Sequence, residues 1–378
     1  DDWRTKLLWL ADMHGNNDWK YICTNGDTGS VPDGSKSSGI SYNDKSVFFP
    51  YAGHVIMRDG WDNAAQFAFF DIGPFGTGHQ HRDKLHVSID ANGHHWLVDS
   101  GRYWYKKGLI RDYYFQSTRA HNTIIFNGIG QRSYEQESIK PLDINFKSEK
   151  DWDYAIGHFN GDYGFSWREL MNNPDFDKSF GPLLERLEEE GYMSTKGIPC
   201  LKKPLEHTRA VVHVHNGYWL IVDLVYGNSN HRADILWHFH PDCKVSIEEN
   251  KQSIIATRED ETWLMVQPCL ENLNNALNIR LERGIEAPIP QGWWSREYNH
   301  KEPATCAIYS SVVNNKTLFA WLIQSGRKGG EQMNERAISF LNKGEIQQPS
   351  FNVGNDKITL SMNIHRPDCG VKKGGKIT

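Results

Sequence analysis

From residue 46 onward the chain is a succession of short β-branched and aromatic runs broken by Gly, Asn, Asp and Pro. Early examples are SVFFPYAGHVIMRD, AAQFAFFDIG, KLHVSIDANGHHWLVDSG and HNTIIFNGIG; later ones are RAVVHVHNGYWLIVDLVYG, ADILWHFHP and KTLFAWLIQSG. Two of these carry an Asn-Gly step between matched runs, VSID-ANG-HHWLVD and VVHVH-NG-YWLIVD. That step supplies the positive φ of a tight hairpin, so neighbouring runs pair antiparallel. Hairpin after hairpin with few helical stretches predicts an all-β fold, a large antiparallel β-sandwich over residues 46–378.

Three departures are expected. Residues 3–14 read as an amphipathic helix, with Trp3, Leu7, Leu8, Trp9 and Leu10 near helical spacing and Gly15 as its stop. Residues 15–45, rich in Gly, Ser, Asn and Asp, read as a linker or long loop, which divides the chain into units 1–45 and 46–378. GPLLERLEEEGY, residues 181–192, reads as a helical excursion from the sandwich. The acidic start is unlike a signal peptide. A chain that opens in mid-helix is expected to continue an N-terminal domain ahead of it.

The 378 residues are 38% hydrophobic, enough for a large core. A net charge of −5 gives no reason to expect nucleic acid or a membrane surface as partner. No apolar run approaches the ~20 residues of a membrane helix. The six cysteines contain no C-x-x-C pair, which excludes a zinc ribbon and a dense disulfide scaffold but leaves one or two disulfides open. The chain is 12% aromatic, which serves strand cores and also sugar-stacking surfaces.

Titratable groups concentrate in one place. GTGHQHRDKLHVSIDANGHHWLVDSG, residues 76–101, holds five histidines and three aspartates. His79 and His81 are two apart, so on an extended strand both imidazoles would project to one face. Asp99 lies across the hairpin and His121 opens another strand. His81, Asp99 and His121 then form a two-histidine, one-carboxylate set of the kind that holds zinc, provided three strand ends meet. His86, His94 and His95 read as solvated hairpin positions. Between residues 79 and 119, Arg82, Lys84, Arg102, Lys106, Lys107, Arg111 and Arg119 outnumber Asp83, Asp90, Asp99 and Asp112. A basic surface with Tyr103, Trp104, Tyr105, Tyr113 and Tyr114 suits an acidic sugar polymer, whose carboxylates pair with guanidinium and whose rings stack on aromatics.

DIGPFGTGHQHRDKLHVSIDANGHHWLVDSGRYWY followed by RDYYFQSTRAHNTIIFNGIGQ resembles the β-sandwich domain of the heparinase II/III-like polysaccharide lyases. The likeness is strongest over residues 66–131, where G-H-x-H-x-D-x-L, V-D-S-G-x-Y and R-x-Y-x-x-x-S-T-x-x-H-N-T arrive in order. It implies an α/α toroid before the sandwich, with an active site between them and the helix at 3–14 as the toroid's last piece. It also implies that the toroid carries a catalytic tyrosine and an Asn or His. By the same resemblance His79 faces substrate, with Tyr103 or Tyr105 as catalytic partners, and His81, Asp99 and His121 hold one structural zinc. Arg82, Arg102 and Arg111 become candidates for the substrate carboxylate, and Tyr113 and Tyr114 candidates for the cleft wall. The implied reaction is β-elimination at a uronate, on heparin or heparan sulfate first and alginate second. The implied setting is the bacterial periplasm or beyond, and a homodimer is admitted.

Three other readings compete. A cupin-like oxygenase would put His79 and His81 on one metal; the spacing of Gly73, His79, His81 and Gly93 nearly fits, although His86 stands where that pattern needs glutamate. A glycoside hydrolase would need Asp83 and Asp99 to face each other. A non-catalytic carbohydrate-binding module would need only the aromatic and basic face. The later pairs His213/His215 and His238/His240 alternate with apolar residues, lack a promising carboxylate nearby and read as strand positions.

Overall fold

The computed structural model describes residues 2–374 except 25, 31–39, 42–44, 76–78, 107, 109, 133–140, 144, 166–199, 202–203, 271–276, 288, 329–335 and 342–345. The expected helix is α1 (Asp2–His14). The stretch expected to be a linker contains a second one, α2 (Asn17–Cys23). The loop-like Asn16 is its N-cap, whose side-chain oxygen accepts the Trp19 N–H at 2.9 Å. The proposed excursion at 181–192 lies outside the described residues.

The first sheet is a meander in chain order: β1 (Ile40–Ser41), β2 (Val47–Phe49), β3 (His54–Arg58), β4 (Phe67–Asp71), β5 (Val87–Ala91) and β6 (His94–Leu97). Ala91 faces His94, and Asn92 and Gly93 between them have φ of 54° and 79°, as a two-residue hairpin turn requires. The other Asn-Gly step closes a longer loop, since Val214 faces Tyr218 and of the two residues only Asn216 is left-handed.

The central sheet takes β7 (Ile124–Phe126), β8 (Phe146–Ser148), β9 (Trp152–Phe159), β10 (Leu205–Val214), β11 (Tyr218–His238), β12 (Lys244–Glu248), β13 (Ser253–Thr257), β14 (Thr262–Pro268) and β15 (Asn278–Arg283). A short ribbon of β16 (Trp293–Trp294) and β17 (Glu302–Pro303) precedes its last member, β18 (Thr305–Arg327). The order is β12-β13-β14-β18-β11-β10-β9-β8, with β15 also on β18 and β7 on β11. The strands β19 (Ile338–Phe340), β20 (Ser350–Val353), β21 (Asp356–Leu360) and β22 (Cys369–Lys372) make a third, four-stranded sheet.

The expected sandwich is present, with a further layer. Phe48, Val55, Phe70, Val87 and Trp96 of the first sheet share one core with Trp219, Ile221, Trp237, Tyr309 and Trp321 of the central sheet. The opposite face of the central sheet packs Val212, Leu220, Val222 and Leu322 on Phe351, Val353 and Ile358 of the third. Cover on both faces explains the unbroken apolar runs YWLIVDLV and LFAWLI, which a one-sided strand would alternate with polar residues. Trp96, Trp219, Trp237 and Trp321 are fully buried, and each removes roughly 200 Å² from water, about 5 kcal/mol before entropy is counted. Cys23, Cys243, Cys306 and Cys369 are thiols outside any disulfide. Among the described residues no helix is long and apolar enough to cross a membrane.

Candidate active site

The first and central sheets meet at a corner, and there the candidate residues converge. β6 leaves its sheet through a bridge between Leu97 and Phe239 at the end of β11, and the Val98 N–H reaches the His238 carbonyl at 2.9 Å. This delivers Asp99 to the seam. The left-handed Gly101 keeps it there: its N–H donates to Asp99 Oδ1 at 2.6 Å, and a Cβ on it would sit 2.4 Å from the Ser295 carbonyl oxygen. From the other side, a short turn at Thr118–Ala120 leads into β7 and leaves His121 fully buried under the seam.

His81, Asp83, Asp99 and His121 each place a potential ligand atom within 4.8 Å of the others. The His121 Nδ1 lies 2.8 Å from Asp99 Oδ2, while its Nε2 is buried without a hydrogen-bond partner. The His81 and His121 rings are 5.4 Å apart. Burial alone would raise the Asp99 carboxyl, but the charge and hydrogen bond of His121, with His86 and His81 behind, hold it well below the usual carboxylate range. Burial pulls the His121 imidazole down, and Asp99 more than reverses this, so it stands above its ordinary value. His81 is lowered by burial and by His121. Two imidazoles, a carboxylate and one orphaned buried nitrogen fit a divalent cation. The expected trio therefore converges, joined by Asp83, which the sequence offers only as a hydrolase carboxylate. Asp83 and Asp99 do approach each other, but with two imidazoles in the same cluster, so they do not flank open space for a sugar bond.

The expectation that His79 and His81 share a strand face is overturned. Residues 79–85 are loop, and His79 has a φ of 58°, which turns its side chain out of strand alternation. His79 is exposed, with Nδ1 3.0 Å from the Tyr105 hydroxyl. A metal shared by the two histidines, and with it the cupin-like reading, has no support in this geometry.

The exposed Arg102 donates from Nη1 to the Tyr105 hydroxyl at 3.3 Å, and its guanidinium carbon lies 5.6 Å from both the Tyr105 and Tyr298 ring centres. Tyr105 and Tyr298 are 45% and 52% exposed and form the open aromatic surface of the site. Tyr298 is not anticipated by the sequence, since it is far along the chain and carries no local signal.

Several other candidates are placed beneath the surface. Tyr103 packs on Trp104 and Phe115 with ring centres 4.8 and 5.1 Å away. Tyr114 is fully buried and donates to the Trp293 carbonyl at 2.8 Å; Tyr113 is buried and donates to the Gly128 carbonyl. These rings shape the site from within instead of lining its cleft. The π-helical turn Ile110–Phe115 explains why, because its wide winding turns four consecutive residues after Arg111 inward. Arg82 and Arg111 are likewise buried, the first donating to the Asp112 carbonyl at 3.0 Å and the second paired with the Asp112 carboxylate at 2.5 Å. Of the three arginines, Arg102 alone is exposed.

His86, read as solvated, is buried. Its Nδ1 accepts the Asn122 N–H at 2.9 Å and its Nε2 lies 2.8 Å from Ser88 Oγ. Asn122 itself donates to the Val87 and Val98 carbonyls and accepts the His238 N–H, binding β5, β6 and β11 behind the cluster. His238 is thus part of this hub rather than a plain strand position. A small cleft lined by Asp71, His81, Asp83, Lys84, Gln131 and Arg132 opens beside the cluster. In it burial, reinforced by Asp83, pushes the Asp71 carboxyl up to about 8, and burial pulls the Lys84 ammonium down to about 8.

A heparin-sulfate lyase of Pedobacter heparinus is 21% identical over 263 residues, 68% of this chain and 31% of that protein. A heparin-sulfate lyase of Bacteroides stercoris is 24% identical over 296 residues, 78% of this chain and 34% of that protein. The chain therefore spans about a third of the length of these relatives. Among solved structures, heparan sulfate lyase HepC from Pedobacter heparinus superposes with a TM-score of 0.64 at 16% identity, over 98% of this chain and 47% of that one. A crystal structure of heparinase III gives 0.63 at 13% identity, over 96% and 47%. The family described as Heparinase II/III-like, C-terminal matches residues 43–322, and the chain belongs to that family.

Proposed function

We propose that this chain is the β-sandwich part of a polysaccharide lyase that cleaves uronate-containing acidic polymers by β-elimination, heparin or heparan sulfate first and alginate second. The observation that carries the reading is the exposed trio of His79, Tyr105 and Arg102, linked by contacts of 3.0 and 3.3 Å at the rim of the seam. A uronate C5 proton becomes removable when the neighbouring carboxylate is neutralised, and Arg102 offers an exposed guanidinium for that. The Tyr105 oxygen and the His79 imidazole are titratable groups in hydrogen-bond contact, suited to take the C5 proton and return one to the departing O4. Tyr298 and Tyr105 give the sugar rings a face to stack on.

His81, Asp99 and His121 would hold one zinc ion, with Asp83 as a further neighbour. The ion, when bound, supplies charge that ties three strand ends together, and it takes no part in proton transfer. A helical domain of the kind implied by the family resemblance would close the other side of the cleft. The polymer substrate places the work outside the cytoplasm, in the periplasm or beyond.

The test is ultraviolet absorbance of a new C4–C5 double bond on heparin, heparan sulfate, alginate and hyaluronan, using the chain alone and joined to any sequence that precedes Asp1 in its gene. His79→Ala and Tyr105→Phe are run alongside. A signal that falls by about 10²–10⁴-fold in either variant supports the assignment. Binding without any signal on any polymer turns the reading to a non-catalytic carbohydrate-binding module.

A further inference from the structure

Further along β10, beyond the Arg209 that reaches this seam, a second histidine pair meets a carboxylate. His213 and Asp153 are direct cross-strand partners between β10 and β9, and His215 follows in the loop to β11. The sequence alone leaves these histidines without a carboxylate because Asp153 is remote in the chain. All three are buried, Asp153 and His213 completely. The potential ligand atoms of Asp153, His213 and His215 lie within 4.8 Å of one another.

The hydrogen bonds around the trio fix what each atom offers. Gln66 Oε1 accepts the Gly217 N–H at 3.2 Å, so it is the amide oxygen, and His213 Nε2 at 3.1 Å must donate to it. That leaves His213 Nδ1 as a bare lone pair, buried with no hydrogen-bond partner and 3.6 Å from Asp153 Oδ2. His215 Nδ1 can only donate to the Lys150 carbonyl at 3.1 Å, which turns a neutral His215 Nε2 lone pair to the same Asp153 Oδ2 at 2.8 Å. Ser46 Oγ donates to Asp153 Oδ2 at 2.8 Å and Ser148 Oγ to Oδ1. Three Lewis-basic atoms thus converge, each supported from behind by a neighbour that sets its tautomer or orientation. A proton on His215 would pair it with Asp153 and still leave His213 Nδ1 facing an oxygen.

We infer that Asp153, His213 and His215 form a second metal centre, selecting a zinc-like divalent cation through two imidazoles and one carboxylate. Metal-bound histidines carry this kind of outer hydrogen bond on their second nitrogen. Three protein donors leave one tetrahedral position for a water. The centre clamps the residue ahead of β2, Ser46, to β9 and to the β10–β11 loop, joining the first and central sheets at the end remote from His79. It lies roughly 13 Å along β10 from Arg209, which reaches the active-site seam. Its role is to hold the fold together.

The experiment counts cobalt(II) bound to metal-stripped protein by elemental analysis and visible absorption. It compares wild type, His121→Ala, His215→Ala and the variant with both changes, each checked for folding by circular dichroism. His121→Ala is expected to hold one equivalent with tetrahedral bands, lost when His215→Ala is added. If that single variant does not fold, wild type should still exceed His215→Ala, or the milder Asp153→Asn, by one equivalent. Folded His121→Ala that binds no cobalt, or equal counts in wild type and in the His215 and Asp153 variants, overturns the inference. The count does not depend on whether the His81 cluster fills or on any lyase activity.

Discussion

Arg209 is the internal strut of the site, and its removal has a calculable consequence. The side chain is fully buried on β10. Its Nε and Nη2 pair with Asp223 at 2.6 and 3.1 Å, and its Nη1 donates to the Leu85 and Asn122 carbonyls at 2.8 and 2.5 Å. Asp223 also accepts from His207 Nε2 at 2.7 Å and Trp321 Nε1 at 3.0 Å. The guanidinium therefore joins the central sheet to the loops that carry the His81 cluster. Arg209→Met would strand the Asp223 carboxylate in a dry core. Breaking such a pair costs about 3–5 kcal/mol. A ceiling comes from neutralisation, since protonating an ordinary carboxylate at pH 7 costs about three pH units at about 1.4 kcal/mol each, or ~4 kcal/mol.

The pH dependence distinguishes this from lost packing. In wild type, burial alone would raise the Asp223 carboxyl, but Arg209 and His207 hold it well below the usual range, so it stabilises the fold above about pH 4 and loses that contribution as pH falls. In Arg209→Met the same group is raised, and its penalty grows as pH rises above about 4. Between pH 7 and pH 5 only this penalty changes, and its fall shrinks the deficit on acidification. Urea unfolding followed by tryptophan fluorescence should give about 4 kcal/mol at pH 7 and roughly 1–2 kcal/mol at pH 5. Adding Asp223→Leu should recover most of the stability but not the proposed lyase activity, because Leu85 and Asn122 stay unanchored. A deficit under about 1 kcal/mol at pH 7, or one equal at both values, would refute the reasoning.

Other consequences are simpler. On the proposed lyase reading, Arg102→Ala should raise KM on a uronate polymer and lower kcat/KM by about tenfold or more, with the melting temperature unchanged because the side chain is exposed. Asn122→Ala, which removes the links to Val87, Val98 and His238, should cost about 2–4 kcal/mol by denaturant melts and loosen the His81 cluster. Burial lowers both His158 and His240 to about 4, so their share of stability is complete above the unfolded value near 6.5 and is lost as pH falls toward 4. His240→Phe should flatten that slope in unfolding titrations between pH 7 and pH 4.

What could be read from the sequence was what depends on near neighbours. The Asn92-Gly93 turn, the strand-rich body and the residues of the His81 cluster each follow from short motifs whose backbone needs are local. The errors arise where a local rule met a long-range fact. Period-two alternation put His79 beside His81, but a left-handed φ at His79 broke it. Asn16 read as loop because the same side chain suits a turn and an N-cap. Tyr113, Tyr114, Arg82 and Arg111 sit in a basic, aromatic stretch that reads as surface, whereas the π-helical winding at Ile110–Phe115 turns Arg111, Tyr113 and Tyr114 inward and Trp293 covers Tyr114.

The two histidine clusters make the same point from opposite sides. His81, Asp99 and His121 lie within one short span of the chain and group together on sequence alone. Asp153, His213 and His215 are chemically the same set, but Asp153 joins the others only through the pairing of β9 with β10, a register no local pattern specifies. β10 connects them physically: at its middle Arg209 supports the seam where sugar is proposed to bind, and its His213 end joins the first sheet through Ser46. Fixing β10 at Arg209 and again at His213 is a physical reason for a rigid sandwich beneath the exposed rim proposed to be catalytic. It follows that damage at His213 should lower stability with little change in kcat per folded molecule, whereas damage at Arg209 should lower both.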